Sequence, residues 1–135
     1  MDHVHLGAVT QVELLGPRSD DELRQWMERS AIFAIPSTYE GLGLSLQEAQ
    51  FYGCASVGTR CGGVEDLIQD GDNGLLVEAG NVGQLATGLE RLMGDEALRT
   101  RLSARGPKSV LEKEMTAERM VAKYEDLYRK ILGEG

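Results

Sequence analysis

Residues Pro36–Glu48 read Pro-Ser-Thr-Tyr-Glu-Gly-Leu-Gly-Leu-Ser-Leu-Gln-Glu and come directly after an apolar segment, Ala31–Ile35. That segment has the length and composition of a buried strand. Gly41 and Gly43 allow the backbone after it to turn sharply and to approach a ligand closely. The residues that follow predict a helix over Ser45–Tyr52. A strand, a glycine-containing loop and a helix in this order indicate an α/β fold with a binding loop at the end of the strand.

The loop and the start of the predicted helix carry groups that suit a diphosphate and a sugar. The first helical amides, near Leu44 and Ser45, would be unpaired donors at the positive end of the helix dipole, where a diphosphate can bind. Ser45 alternatively caps the helix and binds no ligand. Glu40 and Glu48 offer carboxylates, which only accept hydrogen bonds and therefore suit the hydroxyl pairs of ribose and of a transferred sugar. Singly, each would be a turn or surface carboxylate, but together they predict a site for a sugar nucleotide.

Short apolar runs alternate with amphipathic segments along the first part of the chain, which is the pattern of right-handed βαβ units and a parallel sheet. The predicted strands, each expected to be buried on both faces, are Val12–Leu15, Ala31–Ile35, Ala55–Gly58 and Gly74–Val77. The predicted helices between them are one capped by Ser19 or Asp20, Ser45–Tyr52, and Val64–Gln69. After Val77 the sequence predicts helices only, at Val82–Met93, Asp95–Ala104 and Thr116–Leu132, and Gly106-Pro107 is expected to separate helices. We therefore predict one domain, residues 1–135, with a Rossmann-like parallel sheet of about four strands flanked by helices and a helical C-terminal third.

The last predicted helix carries an apolar stripe. The stripe residues recur at helical spacing and are Met120, Tyr124, Leu127, Tyr128 and Ile131. The ordinary interpretation is that the stripe docks on the chain's own sheet, as most amphipathic helices do. The alternative is that it packs on a surface outside the chain, such as a second domain or a second copy.

Composition and charge exclude several classes of function. The chain has 135 residues and a net charge of −8, and no stretch combines clustered Lys and Arg with aromatic residues, so nucleic acid and anionic membranes are not expected partners. The N-terminus, Met1–Leu6, lacks the features of a signal peptide, and we expect a cytoplasmic protein. Cys54 and Cys61 form no metal-binding or disulfide pattern and are interpreted as packing thiols.

Several loops together resemble a known family. The matching segments, in family order, are Pro36-Ser37, Glu40–Leu44, Glu48-Ala49, Gly53, the strand to Thr59, Gly62-Gly63 and Asp72–Val77. This pattern resembles the carboxyl-terminal, donor-binding half of retaining glycosyltransferases of the two-Rossmann-domain (GT-B) architecture, in the large family 4 group. The resemblance runs from about Val12 to the end of the chain, and it is specific because four separate loops agree.

The resemblance implies a role for each matching site residue. Glu40 corresponds to the catalytic-site glutamate that meets the hydroxyls of the transferred sugar beside its anomeric face, and Glu48 to the one that binds the ribose diol. The residues that correspond to the donor-binding segments are Gly41, Leu42, Gly43, Leu44 and Ser45, followed by Gly62 and Gly63 in the loop that closes on the donor. The resemblance implies no metal and no cofactor. It implies a nucleotide diphosphate sugar as donor and a sugar, lipid or small molecule as acceptor.

The chain also departs from the family pattern. Leu42 stands where the family usually has Phe, and Ala55 where it usually has Pro. No Lys or Arg occurs within Ile32–Thr59, whereas family members neutralise the diphosphate with an Arg and a Lys from earlier segments. We therefore expect weak donor binding by this chain alone. The leading hypothesis is the carboxyl-terminal part of a retaining glycosyltransferase that works with an N-terminal domain. The second hypothesis is a binding or assembly module that self-associates through the last helix, and the third is a nucleotide-sugar epimerase.

Overall fold

The computed structural model describes residues 12–133. Met1–Leu6, on which the cytoplasmic prediction depends, lies outside them. The helices and strands, in chain order, are α1 (Asp20–Arg29), β1 (Ile32–Ile35), α2 (Leu44–Phe51), β2 (Ala55–Thr59), α3 (Gly62–Leu67), β3 (Leu75–Val77), α4 (Val82–Gly94), α5 (Glu96–Glu112) and α6 (Ala117–Leu132). In the described part of the chain, none of the helices combines the length and the apolar character that a membrane crossing requires.

Within residues 12–133 the sheet is parallel and has three strands in the order β1-β2-β3. Ile35 of β1 pairs with Gly58 of β2, and Val57 of β2 pairs with Leu75 of β3. Every residue of the central strand β2 is buried, as a doubly covered strand requires. In β1 only Ile35 is buried and Ala34 is exposed, so the expectation of burial on both faces is wrong for this edge strand.

The predicted strand Val12–Leu15 does not form. No regular secondary structure is assigned to these residues, and the side chains of Val12 and Leu14 are 52% and 80% exposed. A short apolar run becomes a strand only when a neighbouring strand accepts its backbone hydrogen bonds, and among residues 12–133 no strand pairs with this run. The prediction of about four strands is therefore corrected to three within the described residues.

Two apolar clusters cover the two faces of the sheet. Successive residues of a strand point to opposite faces, and Val57 and Gly58 of β2 do so. The cluster on the Val57 face joins the sheet to α4 and α5, and its buried members are Ala55, Val57, Leu75, Val77, Leu92 and Leu102. The cluster around Gly58 joins the sheet to α2 and α3, and its buried members are Ile35, Leu46, Cys61, Val64, Leu67 and Ile68. This layered arrangement confirms the predicted Rossmann-like α/β fold with a helical C-terminal third.

The expected break at Gly106-Pro107 is wrong, because α5 continues through Pro107 to Glu112. A proline inside a helix removes one backbone hydrogen bond and is unfavourable by about 3 kcal/mol. Tertiary packing offsets this cost. Gly106 lies so close to α2 that a Cβ placed on it would meet the Gln50 carbonyl oxygen at 2.9 Å. The buried residues of the same helix include Leu102 and Val110 on either side of the proline.

Helix α6 is capped by Thr116, whose side chain accepts a hydrogen bond from the Arg119 amide. None of its residues is buried, and Leu127, the least exposed member of the apolar stripe, is still 49% exposed. The interpretation that the stripe docks on the chain's own sheet is therefore wrong. The alternative, that the stripe packs on a surface outside the chain, stays a prediction.

Candidate functional site

At the carboxyl ends of the strands, where open α/β sheets bind ligands, the first loop (residues 36–43, between β1 and α2) lies against the second loop (residues 60–63, from the end of β2 into the start of α3). Helix α3 begins at Gly62 and not at Val64 as predicted, so Gly62 and Gly63 are its first residues. The amide of Gly63 donates a hydrogen bond of 2.8 Å to the Glu40 carbonyl oxygen. A Cβ on Gly62 would lie 2.2 Å from the same oxygen, and a Cβ on Gly63 would lie 2.7 Å from the Gly41 carbonyl oxygen. Only glycines in the second loop allow the first loop to approach this closely. The structure thus brings Glu40, Gly41, Gly62 and Gly63 together.

The first loop also closes on itself. The Gly43 amide donates a hydrogen bond of 3.2 Å to Oε1 of the Glu40 carboxylate. Gly43 adopts the left-handed conformation, with φ of 65°, and is the N-cap residue of α2. Glu40 is half-buried, whereas Gly41 is exposed and has open space where a side chain would lie. Glu40 is therefore a built part of the loop and not a free surface carboxylate.

The start of α2 is open. No side chain of the described residues caps this helix, and Ser45 lies within its first turn, so the interpretation of Ser45 as the N-cap is wrong. The helix begins one residue earlier than predicted, at Leu44. Leu42 and Leu44 are 72% and 60% exposed and flank the buried Gly43. The first turn of α2 thus presents helix-end amides next to Glu40, as an anion site requires.

Glu48 lies on the exposed face of α2 and takes part in a different cavity. This cavity, of about 260 Å³, lies between α1 and α2. Its lining includes Glu48 and Tyr52 from α2 and Asp21, Arg24 and Met27 from α1. The structure therefore places the two predicted carboxylates differently. Glu40 lies in the loop contact and Glu48 lies beside an acidic and partly apolar cavity.

Two basic residues border these loops, and both interact with other groups of the chain. Arg60 belongs to the second loop, and Lys113 lines a cavity together with Leu42 and Leu44. Arg60, which directly follows β2, pairs with Glu78 at 3.1 Å and with Glu65 at 3.8 Å. Lys113 donates from Nζ to the carbonyl oxygens at the end of α3, those of Asp66 and Leu67. Sequence reasoning missed both contacts, because they join residues that are far apart in the chain. Among the described residues, these contacts leave the loop amides as the main positive element of the site.

Buried hydroxyl and thiol groups hold the first loop to the sheet. Thr59, the last residue of β2, donates from its hydroxyl to the carbonyl oxygens of Ile35 and Ser37, and the Cys61 thiol lies 3.4 Å from the same Ser37 oxygen. Cys61 is therefore a packing thiol with a specific partner. The other cysteine, Cys54, is also buried, and burial raises the pKa of its thiol. Polar residues at the end of a buried strand were the only sequence signal for this contact.

A buried network of polar side chains lies around Asn73 and reaches the helix α2 of the site. The Asn73 side chain donates to the Leu67 carbonyl oxygen at 2.9 Å and to the Ser109 hydroxyl at 2.7 Å, and it accepts from the Gln69 amide at 2.7 Å. The Gln50 side chain of α2 donates to the Asn73 carbonyl oxygen at 3.1 Å. The network thus joins α2, the turn before β3 and α5. This gives Asn73 of the Asp72–Val77 motif a structural role that sequence reasoning did not assign.

A second cavity, of about 630 Å³, lies between the first loop and α6. Apolar side chains line most of it, namely Leu42, Leu44, Met115, Met120, Tyr124 and Leu127. Its polar groups are bonded within the chain: Gln47 donates to the Met115 carbonyl oxygen, and Glu114 pairs with Lys123 at 3.0 Å. The apolar stripe of α6 is therefore continuous with the exposed leucines of the first loop.

Among residues 12–133 no group of three or more His, Cys, Asp and Glu side chains is placed to hold a metal ion.

A parallel three-layer α/β domain with a glycine loop at its strand ends defines a nucleotide-binding class of fold. Residues 4–109 match the family model of glycosyl transferases group 1. The chain is 34% identical, over 112 residues, to N-acetyl-alpha-D-glucosaminyl L-malate synthase of Bacillus anthracis, and the match covers 83% of the chain and 29% of that protein. The chain belongs to the glycosyl transferases group 1 family.

Solved structures agree with the family. Sucrose-phosphate synthase of Thermosynechococcus elongatus has a TM-score of 0.84 and 24% identity, and the match, which covers 92% of the chain and 31% of that protein, shows the fold. HepE of Anabaena, in a structure with UDP-glucose, has a TM-score of 0.73 and 25% identity over 80% of the chain and 29% of that protein. The predicted resemblance to the carboxyl-terminal part of GT-B glycosyltransferases is thereby confirmed. The chain spans less than a third of the length of each of these proteins.

Proposed function

We propose that the chain is the donor-binding part of a glycosyltransferase that transfers a sugar from a nucleotide diphosphate sugar to an acceptor hydroxyl with retention of configuration. The observation that carries the proposal is the contact between the two glycine loops, which places the half-buried Glu40 next to the open first turn of α2. Donor binding by a relative supports it, since the HepE structure that matches this chain contains UDP-glucose. The acceptor would be a sugar, a lipid or a small molecule.

In this proposal each part of the donor meets a chemically suited group. The diphosphate lies at the amides of Leu44 and Ser45, where the helix dipole is positive. The hydroxyls of the transferred sugar donate to the Glu40 carboxylate, and the ribose diol donates to Glu48 beside the cavity between α1 and α2. Gly62 and Gly63 hold the first loop in place beneath the donor.

The reaction then requires little covalent chemistry from the protein. The acceptor oxygen bonds to the anomeric carbon while the bond from that carbon to the diphosphate oxygen breaks. The proton of the acceptor hydroxyl passes to a phosphate oxygen of the donor, which acts as the base. Helix-end amides stabilise the leaving diphosphate as its charge develops. Glu40 orients the sugar and is not a nucleophile.

We expect the chain alone to bind its donor weakly. A diphosphate carries about two negative charges, and each exposed helix-end contact contributes only about 0.3–1 kcal/mol. Arg60 pairs with the Glu78 carboxylate, and Lys113 donates to the Leu67 carbonyl oxygen. A few such contacts correspond to a dissociation constant of about 1 mM or weaker. Additional cations and the acceptor site would come from an N-terminal domain, as the resemblance to the family implies.

The test is a titration of the chain with UDP, GDP and ADP, followed by NMR through the backbone amides of 41–45. A donor site predicts saturable shifts of these amides with at least one nucleotide, and smaller shifts in Glu48→Gln than in wild type. Glu90→Gln is the matched control, because Glu90 is an exposed carboxylate on α4, outside the site. No shift with any nucleotide would argue against donor binding by this chain. In a longer protein that contains it, unchanged turnover after Glu40→Gln and Glu48→Gln would contradict the assigned roles.

A second candidate function is an assembly module that keeps the fold without catalysis. The exposed stripe of α6 favours it, because Met120, Tyr124, Leu127 and Ile131 together leave a continuous apolar surface. Light scattering at rising concentration tests it. A strict monomer at high concentration would exclude self-association through α6, and Tyr124→Glu should abolish any dimer that forms.

A further inference from the structure

In the described part of the chain, Glu40 accepts hydrogen bonds both from a glycine of its own loop, Gly43, and from a glycine of the second loop, Gly63. Its carbonyl oxygen accepts from the Gly63 amide at 2.8 Å. Its carboxylate oxygen Oε1 accepts from the Gly43 amide at 3.2 Å. One hydrogen bond joins the two loops, and the other fixes the turn that leads into α2.

We propose that Glu40 is a positioning residue: its carboxylate holds Gly43, and with it the first turn of α2, in the diphosphate-binding conformation before any donor is present. The inference rests on the proposed donor site and extends it. Gly43 cannot cap its helix with a side chain, and no other side chain in the described part of the chain does so. Because Gly43 is buried, its amide would be an unpaired buried donor without Glu40, which is unfavourable.

The two roles of Glu40 are compatible. A carboxylate has two oxygens and about four acceptor positions. Oε1 accepts the hydrogen bond of the Gly43 amide, and among the described residues no group donates to Oε2, which remains for a sugar hydroxyl. The carboxylate that orients the sugar is thus itself oriented by the loop that binds the diphosphate.

The inference makes a prediction that a sugar contact alone does not make. A residue that only contacts the sugar has no effect on a nucleotide that lacks the sugar. A residue that positions Gly43 and the amides after it affects the binding of UDP as well. UDP is therefore the probe that separates the two roles.

The first experiment needs no ligand. Amide hydrogen exchange is measured by NMR in wild type, Glu40→Gln, Glu40→Met and Glu90→Gln. Gln keeps an acceptor oxygen at the right distance, and Met has similar length with only a weakly accepting sulfur. We expect the Gly43 amide to exchange about tenfold faster in Glu40→Met and at nearly the wild-type rate in the two Gln variants. Unchanged Gly43 exchange in Glu40→Met would overturn the proposal.

The second experiment measures UDP affinity in the same variants. We expect a loss of about fivefold in Glu40→Met and no loss in Glu40→Gln, which also removes a negative charge near the diphosphate. Equal affinity of wild type and Glu40→Met would overturn the positioning role. Equal UDP affinity of the two Glu40 variants would also overturn it, because both variants remove the carboxylate charge and only Glu40→Met removes the acceptor of the Gly43 hydrogen bond.

The outcomes separate this inference from the proposed function. If wild type binds no nucleotide, the donor function of this chain fails while the exchange rates still decide whether Glu40 holds Gly43. If wild type binds UDP and the exchange rates do not respond, the donor site stands and the positioning role fails. Amide protection at Val57, in the buried central strand, reports whether each variant is folded. Glu40→Ala replaces Glu40→Met if the latter is unfolded.

Discussion

Replacing Gly62 with Ala tests whether the two glycine loops are as tightly packed as the structure shows. The new Cβ would lie 2.2 Å from the Glu40 carbonyl oxygen, whereas ordinary contact begins at 3.4 Å, so the loops would have to separate by about 1.2 Å. Overpacking of this kind is unfavourable by about 1–3 kcal/mol. Gly62 also has φ of 35°, in the left-handed region, which adds about 1 kcal/mol of strain for Ala. We therefore expect a loss of about 2–4 kcal/mol in the free energy of unfolding.

Two further Gly-to-Ala variants divide this value into its parts. Gly71 has φ of 77° and open space around it, so Gly71→Ala measures strain alone and should lose about 1 kcal/mol. Gly41 has neither a positive φ nor a neighbour within 4 Å, and Gly41→Ala should change stability by less than about 0.5 kcal/mol. The assay is urea unfolding followed by circular dichroism. If Gly62→Ala loses no more stability than Gly71→Ala, the close contact with Glu40 does not exist in solution.

Three other predictions concern single groups. Asn73→Ala should lose about 2–3 kcal/mol in urea unfolding, because it leaves buried partners of the network unpaired; a loss below about 1 kcal/mol would contradict the network. The raised pKa of the buried Cys54 thiol predicts that iodoacetamide labels it slowly in the folded chain at pH 8, and faster once urea unfolds the chain; equal rates would contradict this. Hydrogen bonds from Lys123 and Arg119 lower the pKa of the Glu114 carboxyl from its usual 4.5, so this contribution to stability is present above pH 4.5 and is lost as pH falls below it. Acid unfolding of Glu114→Gln should show a weaker pH dependence in that range than wild type.

The sequence predicted the fold where local pattern and tertiary burial agree. Strand β2 is both apolar in sequence and buried at every position, and α4 begins at Val82 as predicted. The errors arose where tertiary contacts override local signals. Pro107 should end a helix, but the packing of Gly106 on α2 carries α5 past it. The run Val12–Leu15 is apolar enough for a strand but has no strand partner in the described residues.

For the candidate site too, the sequence indicated the features that depend on neighbouring residues and not those that depend on tertiary contacts. The spacing of Glu40 and the glycines is local information, and the sequence alone indicated a binding loop. The contact of Gly62 and Gly63 with the first loop joins residues more than 20 positions apart, and no periodicity reports it. The resemblance to a family pointed to these two loops and assigned to those glycines a role toward the donor, which stays a prediction. The structure adds a packing role: the close contact with the Glu40 carbonyl oxygen is by itself enough to require a glycine at position 62.

A diphosphate site completed by basic side chains and one made of helix-end amides lead to opposite expectations for the effect of salt on nucleotide binding. A site completed by Arg or Lys loses affinity for a diphosphate as salt is added, because the attraction is screened. In this chain Arg60 pairs with Glu65 and Glu78, and the net charge of −8 repels the ligand. Helix-end amides act at short range, so screening should weaken the repulsion more than the attraction. We therefore expect UDP affinity to stay constant or to rise between about 20 and 200 mM NaCl, over which the screening length falls from about 20 Å to below 10 Å. A clear fall in affinity would instead show that a basic side chain leaves its carboxylate partners to bind the diphosphate, and Arg60→Gln would then remove the salt dependence.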